Sequence, residues 1–300
     1  MKKIILSISA ILIVSIAAVA QVSTTDIKQI GEGNDYEGNN SSGSGHYAEI
    51  YQNGDNNFLR ANQGGSDQMA TQKQIGNLNT AYSTQGDMNN KSYQEQQGDS
   101  NVATIVQNYF DSAPSFAKGN AIGSGSNTAS QYQAGESNVA YITQGQDQQY
   151  TVRKALNGNT YSYDNFAVQE QVGFTNNMVS DQKGSSNFSD QFQSGAFNDS
   201  KVYQDGSLNS DTTCQEGSNL TAWSSQIGNE NISELCQGGY KNYNKLEQNG
   251  NLNISFMGVS GVNNSAITSQ TGNFNDSMIL QSGSANVANV NQSIGMYGPK

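Results

Sequence analysis

Gln74-Ile75-Gly76-Asn77-Leu78-Asn79-Thr80-Ala81-Tyr82-Ser83-Thr84-Gln85 contains one complete repeat unit: Gln-x-Gly-x-x-Asn, then five residues to the next Gln. Side chains alternate faces along a strand, so Asn79, Ala81, Ser83 and Gln85 point one way and Thr80, Tyr82 and Thr84 the other. The stretch from Asn to Gln reads as a seven-residue strand, and x-Gly-x-x as the turn. Glycine supplies the positive φ of a tight arc, while Asn, Asp and Ser fill the other corner slots.

Outward from this stretch the unit recurs at steps of eleven residues. The Gln slot holds Gln29, then Gln52, Gln63, Gln74, Gln85, Gln96 and Gln107, then Gln133 and Gln144. It continues as Gln171, Gln182, Gln193, Gln204, Gln215, Gln226, Gln237 and Gln248, breaks at Val259, and resumes in phase at Gln270, Gln281 and Gln292. The Asn slot holds Asn34, Asn57, Asn79, Asn101, Asn138, Asn176, Asn187, Asn198, Asn209, Asn231, Asn242, Asn253, Asn264, Asn275 and Asn286. The turn slot holds Gly31, Gly54, Gly76, Gly98, Gly135, Gly173, Gly184, Gly195, Gly206, Gly217, Gly228, Gly239, Gly250, Gly261, Gly272 and Gly283. A fixed short period of this kind marks an architecture in which one small unit stacks on copies of itself.

Comparison of the units identifies the inner face. Slots aligned with Ala81 hold small residues such as Ala103, Ala140, Ser189, Ser200 and Ala266, and the next inward slot often holds an aliphatic such as Ile105, Ile142, Leu235 or Leu246. The opposite face mixes Lys, Asp, Glu, Tyr, Phe and Thr. A restricted face against a variable one separates interior from solvent. Buried amides are costly unless paired, and stacked identical amides pair by donating to one neighbour and accepting from the other. A slip of one residue would turn all of them outward. The expected fold is therefore all-β: a β-solenoid with two parallel sheets face to face and internal Asn/Gln ladders. Two units close one coil, giving about twelve coils and a column of roughly 55 Å.

The 300 residues include about a quarter Asn and Gln, 32 Gly and only 2 Pro. Such composition reads as disordered or prone to cross-β pairing, and the strict period selects the ordered alternative. The first twenty residues differ. Lys2 and Lys3 precede an apolar run from Ile4 to Ala17, and Ala18-Val19-Ala20 forms a small-x-small cleavage site before Gln21. This is the layout of a secretory signal peptide cut between Ala20 and Gln21, leaving residues 21–300 as the repeat domain. Loss of the two lysines takes the formal charge from −11 to −13. An acidic mature chain argues against nucleic-acid binding and delays premature association. Cys214 and Cys236 lie 22 residues apart, twice the repeat, and so stack one rung apart. Adjacent strands are about 4.8 Å apart, at the short end of disulfide geometry, so a bridge and two stacked thiols are both open.

Register breaks mark insertions. Gln107 to Gln133 and Gln144 to Gln171 exceed two units, with Ile122 and Thr160 in the intervening Gln slots and Asn127 and Asn165 in the Asn slots. The surplus is expected as loops near 108–121 and 150–159, the first carrying Pro114 where no ladder N–H is needed.

The repeat resembles that of the curlin family, subunits of the bacterial curli amyloid, whose consensus is Ser-x5-Gln-x-Gly-x-x-Asn-x-Ala-x3-Gln. Ser23, Gln29, Gly31 and Asn34 match its first half; Gln74, Gly76, Asn79, Ala81 and Gln85 match its second. Gln96, Gly98, Asn101, Ala103 and Gln107, and Gln133, Gly135, Asn138, Ala140 and Gln144, match it again. The resemblance spans about Ser23 to Gly295, with many more units than short curli subunits, Ser in many Ala slots, and no long non-repeat segment after residue 20. It implies a secreted structural subunit forming amyloid fibres of a biofilm matrix at the bacterial cell surface, mediating adhesion and aggregation. It further implies a curli-type outer-membrane secretion channel and a nucleator subunit as partners, self-association end to end, and no cofactor. The alternatives are a nucleator of the same fibre and a non-polymerising solenoid adhesin with extracellular ligands.

Other motifs carry less. His46, the one histidine, occupies an Asn slot in a degenerate unit, with Ser41 in the Gln slot before it. Asp190, Glu234 and Glu247 lie on the outward face as solvated charges, and no acid–base pair suggests an enzyme. Gly119 to Gly125 lacks the Lys and helix of a phosphate loop. The sequons at Asn187, Asn198, Asn231, Asn253 and Asn275 belong to the strand motif and face inward. Lys201, Trp223 and Lys245 occupy equivalent outward positions on successive coils, which places both ammonium groups near the indole.

Overall fold

The computed structural model describes residues 23–86, 88–107, 126–144 and 164–293. The segment 1–20 with its Ala20–Gln21 junction and the surplus residues near 108–121 and 150–159 lie outside the described residues. Among the described residues, twenty-two strands run from β1 (Thr24–Ile30) to β22 (Val287–Ser293). The odd-numbered strands form one eleven-stranded sheet and the even-numbered strands another. All pairings are parallel, and each partner lies one coil further along the chain.

The column thus has eleven described coils rather than about twelve, and stands about 48 Å tall. The difference comes from the surplus intervals. β7 (Lys91–Gln97) pairs directly with β9 (Thr128–Glu136), and β8 (Val102–Gln107) with β10 (Val139–Gln144), so neither described sheet has a strand between these partners. Register survives the interruption: Gln96 Nε2 still donates to Gln133 Oε1 at 2.8 Å.

The corner is built differently from the expected x-Gly-x-x turn. β13 (Phe188–Ala196) runs through Gln193 and Gly195, and Gly195 pairs in register with Gly217 of β15 (Ser210–Ser218). The glycine bends the chain at φ 115° while staying inside the ladder. A second left-handed residue, four after the Gln slot, completes the corner: Phe197 at φ 58°, Leu208 at 59°, even Thr175 at 54°. Corner amides also bond along the column, as Phe197 N–H does to Phe174 O at 3.1 Å. Stacked identical corners make axial hydrogen bonding available everywhere, which offsets the strain of positive φ at these side chains.

Inside, the Ala81-type slot is filled by Ala81, Ala103, Ala140, Ser189, Ser200 and Ala266, all buried. Apolar packing is local: one cluster joins Ile50, Leu59 and Ala81, a second Ile105 and Ile142, a third Leu235, Leu246, Met257 and Ile279. The amide ladders span the rungs between them.

Candidate functional site

The ladders combine three kinds of hydrogen bond. Each interior Gln except Gln237, which Val259 follows, donates through Nε2 to the Oε1 of the Gln one coil later, as in Gln52 to Gln74 (3.0 Å), Gln182 to Gln204 (2.9 Å) and Gln204 to Gln226 (2.8 Å). The same Nε2 crosses to the facing sheet: Gln193 reaches Asn177 O at 3.0 Å and Gln204 reaches Phe188 O at 2.8 Å. Each Asn staples its corner, as Asn176 Nδ2 does to Val172 O at 3.4 Å and to Gly195 O at 3.0 Å. The Gln residues therefore tie sheet to sheet, and the Asn residues tie corner to corner.

The two ladders run in opposite senses. Gln donates to the later coil, whereas Asn donates to the earlier one: Asn79 N–H to Asn57 Oδ1 at 3.1 Å, Asn253 Nδ2 to Asn231 Oδ1 at 3.0 Å. Every Gln and Asn slot residue named above is buried except Gln29, Asn34, Gln281, Asn286 and Gln292, which belong to the first and last coils. The sequons at Asn187, Asn198, Asn231, Asn253 and Asn275 are accordingly buried.

A further ladder was not anticipated. In the inner slot that holds aliphatics elsewhere, Gln72, Gln94, Gln131, Gln169 and Gln191 form a central amide column with Nε2–Oε1 distances of 2.6, 2.9, 3.0 and 2.7 Å. The signal was present in the sequence as Gln two residues before the Gln slot on alternate units, visible only when units are compared two apart. Gln68, Asn90, Asn127 and Asn165 fill the remaining Asn-equivalent positions of the same sheet, below His46, which is buried there.

Val259 shows what a missing rung does. It is buried in the Gln column, and Gln281 Oε1 beyond it has no hydrogen-bond partner. Val259→Gln should supply a donor to Gln281 and an acceptor to Gln237, raising stability by about 1–2 kcal/mol. Urea denaturation of the two chains checks this; an unchanged or lower midpoint would contradict the ladder account.

Asp211 is another residue that the repeat logic missed. It occupies the small inner slot between Ser189 and Ser233 and is fully buried. Thr213 Oγ1 donates to it at 3.0 Å, and Ser233 Oγ also donates. Burial raises its pKa; the hydroxyls of Ser224, Ser233 and Thr213 pull it back in part, and Asp190 pushes it up further. Asp190 itself is not the freely solvated charge expected: it lies half-buried between Val168 and Thr212 in its column, and burial raises its pKa.

On the outer face Cys214 and Cys236 are joined by a disulfide across β15 and β17 (Ile232–Tyr240), with Cα atoms 4.6 Å apart. Lys245 Nζ sits 4.3 Å from the Trp223 ring centroid, but Lys201 does not share the indole as expected; its ammonium lies 3.4 Å from Asp199, which is nearer along the same strand. Glu247 takes up Lys245 at 3.0 Å. Tyr93 is pushed up to about 12, first by burial and then by the hydrogen bond it donates to Glu95. Among the described residues no group of three or more His, Cys, Asp or Glu side chains could hold a metal ion.

The column ends differ from its middle. Every residue of β1 is exposed, and Ile27, an inner-column residue, is 43% exposed, whereas Ile50 one coil inward is 1% exposed. β22 alternates exposed and half-buried. The first coil presents the Oε1 of Gln29, to which no described residue donates; the last presents Gln292, whose Nε2 reaches Asp276 O at 2.7 Å, and the Oδ1 of Asn286. No protein-family model matches the chain, and no curated protein matches it.

Proposed function

We propose that this chain is a secreted structural subunit that polymerises end to end into curli-like amyloid fibres of a biofilm matrix. The observation that carries the reading is the exposed first and last coils, whose side-chain columns and backbone edges repeat those buried one coil further in. A sheet edge with unpaired N–H and C=O groups templates another strand. The opposed ladder senses make the two ends complementary: the last coil offers a Gln donor and an Asn acceptor, and the first offers a Gln acceptor and an Asn donor. A second copy set head to tail continues the Gln ladder from Gln281 onto Gln29 and the Asn ladder from Asn286 onto Asn34, with Ile27 meeting Ile279 and Gln292 facing Asn40. Export by a curli-type channel and initiation by a nucleator are proposed with this function, on the resemblance of the repeat alone.

Incubation of the purified 21–300 chain should give thioflavin-positive fibres with a meridional reflection near 4.8 Å, the parallel-strand spacing. Persistent monomers at high concentration would overturn the proposal and favour the adhesin alternative.

A further inference from the structure

The column is not uniformly bonded. The junction between the coil of β15 and β16 (Thr221–Asn229) and the next coil, β17 and β18 (Tyr243–Asn249), departs from the ladder pattern in several ways. Five departures from the pattern lie at or beside it. The central Gln column ends at Gln191, whose amide turns to Ser200 Oγ at 2.8 Å, and Thr213 and Leu235 follow in its place. Leu220 interrupts the Asn ladder of the other sheet; its N–H still reaches Asn198 Oδ1 at 3.1 Å, but it carries no acceptor for Asn242.

The remaining features concern polar burial and apolar packing. The Gln215–Gln237 contact is stretched to 3.4 Å against 2.6–3.1 Å in neighbouring coils. Asp211 on one side is a buried carboxyl that Ser233 Oγ meets from the next coil, and both amide atoms of buried Asn244 on the other side lack a partner. No apolar cluster crosses the junction; the nearest begins at Leu235. An unsatisfied buried polar group and a missing ladder bond each weaken a junction by about 1–3 kcal/mol, so local opening concentrates here.

Besides the backbone, which passes from β16 to β17 through Glu230 and Asn231, the covalent tie across this junction is the Cys214–Cys236 bridge. It is half-buried on the outer face and lines a groove of about 580 Å³ that Gly238 and Gly258 leave open. We propose that the junction is a redox-controlled seam: the disulfide holds it shut, and a small dithiol reaching the groove releases it. A reductant thiolate attacks one protein sulfur, forming a mixed disulfide and expelling the other sulfur as thiolate. The reductant's second thiol then displaces the remaining protein sulfur. The protein bridge takes up two electrons and two protons, and the dithiol leaves as its cyclic disulfide. The opened seam leaves two shorter solenoids joined by the backbone between β16 and β17, and, resting on the function proposed above, each gains a fresh templating edge.

Hydrogen exchange measured by mass spectrometry on the full mature chain, with and without dithiothreitol at pH 7, tests the proposal. Closing a 22-residue loop by a disulfide is of a size to change local opening on the order of a hundred-fold. Reduction should therefore speed exchange in β15–β18 by about that factor, and in β11 (Phe166–Phe174) and β12 (Asn177–Ser185) by less than about threefold. Leu220→Asn, which restores the missing acceptor, should recover about tenfold of the lost protection in the reduced chain. Unchanged exchange in β15–β18, an equal rise along the column, or no recovery with Leu220→Asn would overturn it. The reduction arm uses the native chain and does not depend on the variant folding.

Discussion

Gly206→Ala should lower the stability of the column by at least about 3 kcal/mol, whereas Leu208→Gly, two residues away in the same corner, should change it by less than about 1 kcal/mol. Both positions have positive φ, 131° at Gly206 and 59° at Leu208. They differ in what surrounds the side chain. A Cβ on Gly206 would overlap the carbonyl oxygen of Gly228 on the next coil, a backbone atom fixed by its own stacked corner. Leu208 projects outward, 56% exposed, and adopts the ordinary left-handed conformation, which glycine adopts more readily still. Urea titration followed by circular dichroism separates the cases; similar midpoint shifts for the two variants would mean that the corner is limited by backbone preference and not by coil-to-coil contact.

The second large effect concerns Asp211. Burial raises its folded-state pKa, so the folded chain holds that proton more tightly than the unfolded chain does. Its contribution to stability is therefore fully present below the unfolded value of about 3.9 and is lost as pH rises through the folded value. Acidification should strengthen this coil, the reverse of the usual behaviour of a carboxylate. Glu95 opposes the trend: burial works against its ionisation, but hydrogen bonds from Lys73, Gln97 and Tyr93 outweigh it and hold its pKa low, so its stabilisation is lost on acidification. Comparison of wild type with Asp211→Asn cancels the Glu95 contribution. At pH 7 the variant should be more stable by at least about 1 kcal/mol, since the amide needs neither a buried charge nor the uptake of a proton on folding, and hydroxyl neighbours can rotate to meet it. The gap should close as pH falls below the folded pKa. A pH-independent difference, or a destabilised variant at pH 7, would contradict this reading.

The solenoid, its inner face and its outer ladders were legible because they depend on one period applied to one alternation. Gln74, Asn79 and Gln85 already contain the answer, and Gln52 through Gln292 repeat it. What escaped lies at a period of two units or in single exceptions. The central column from Gln72 to Gln191 is invisible when adjacent units are aligned, because its slots in the facing sheet hold residues such as Ser83, Ile105 and Val202. The left-handed corner residue escaped because Phe197, Leu208 and Thr175 have no propensity for it; the stacked corners impose it. Asp211 and Leu220 broke the pattern without revealing the consequence, which needs the burial and hydrogen-bond partners that only the folded column supplies. Eleven coils are described where about twelve were expected, because the slots of Ile122 and Thr160 were counted as units, whereas β7 pairs directly with β9 and β9 with β11.

The central claim is that the terminal coils template the next copy. Gln292 and Gln193 occupy the same kind of slot, one on the last coil and one in mid-column, where Gln193 has a tethered rung on each side, accepting from Gln171 at 3.1 Å and donating to Gln215 at 2.6 Å. Seeded elongation at equal concentrations of folded monomer compares Gln292→Ala with Gln193→Ala directly. Gln292→Ala should slow elongation more, although each variant lacks one amide; an equal or greater loss for Gln193→Ala would place the limiting step in folding of the column and contradict templating by its ends.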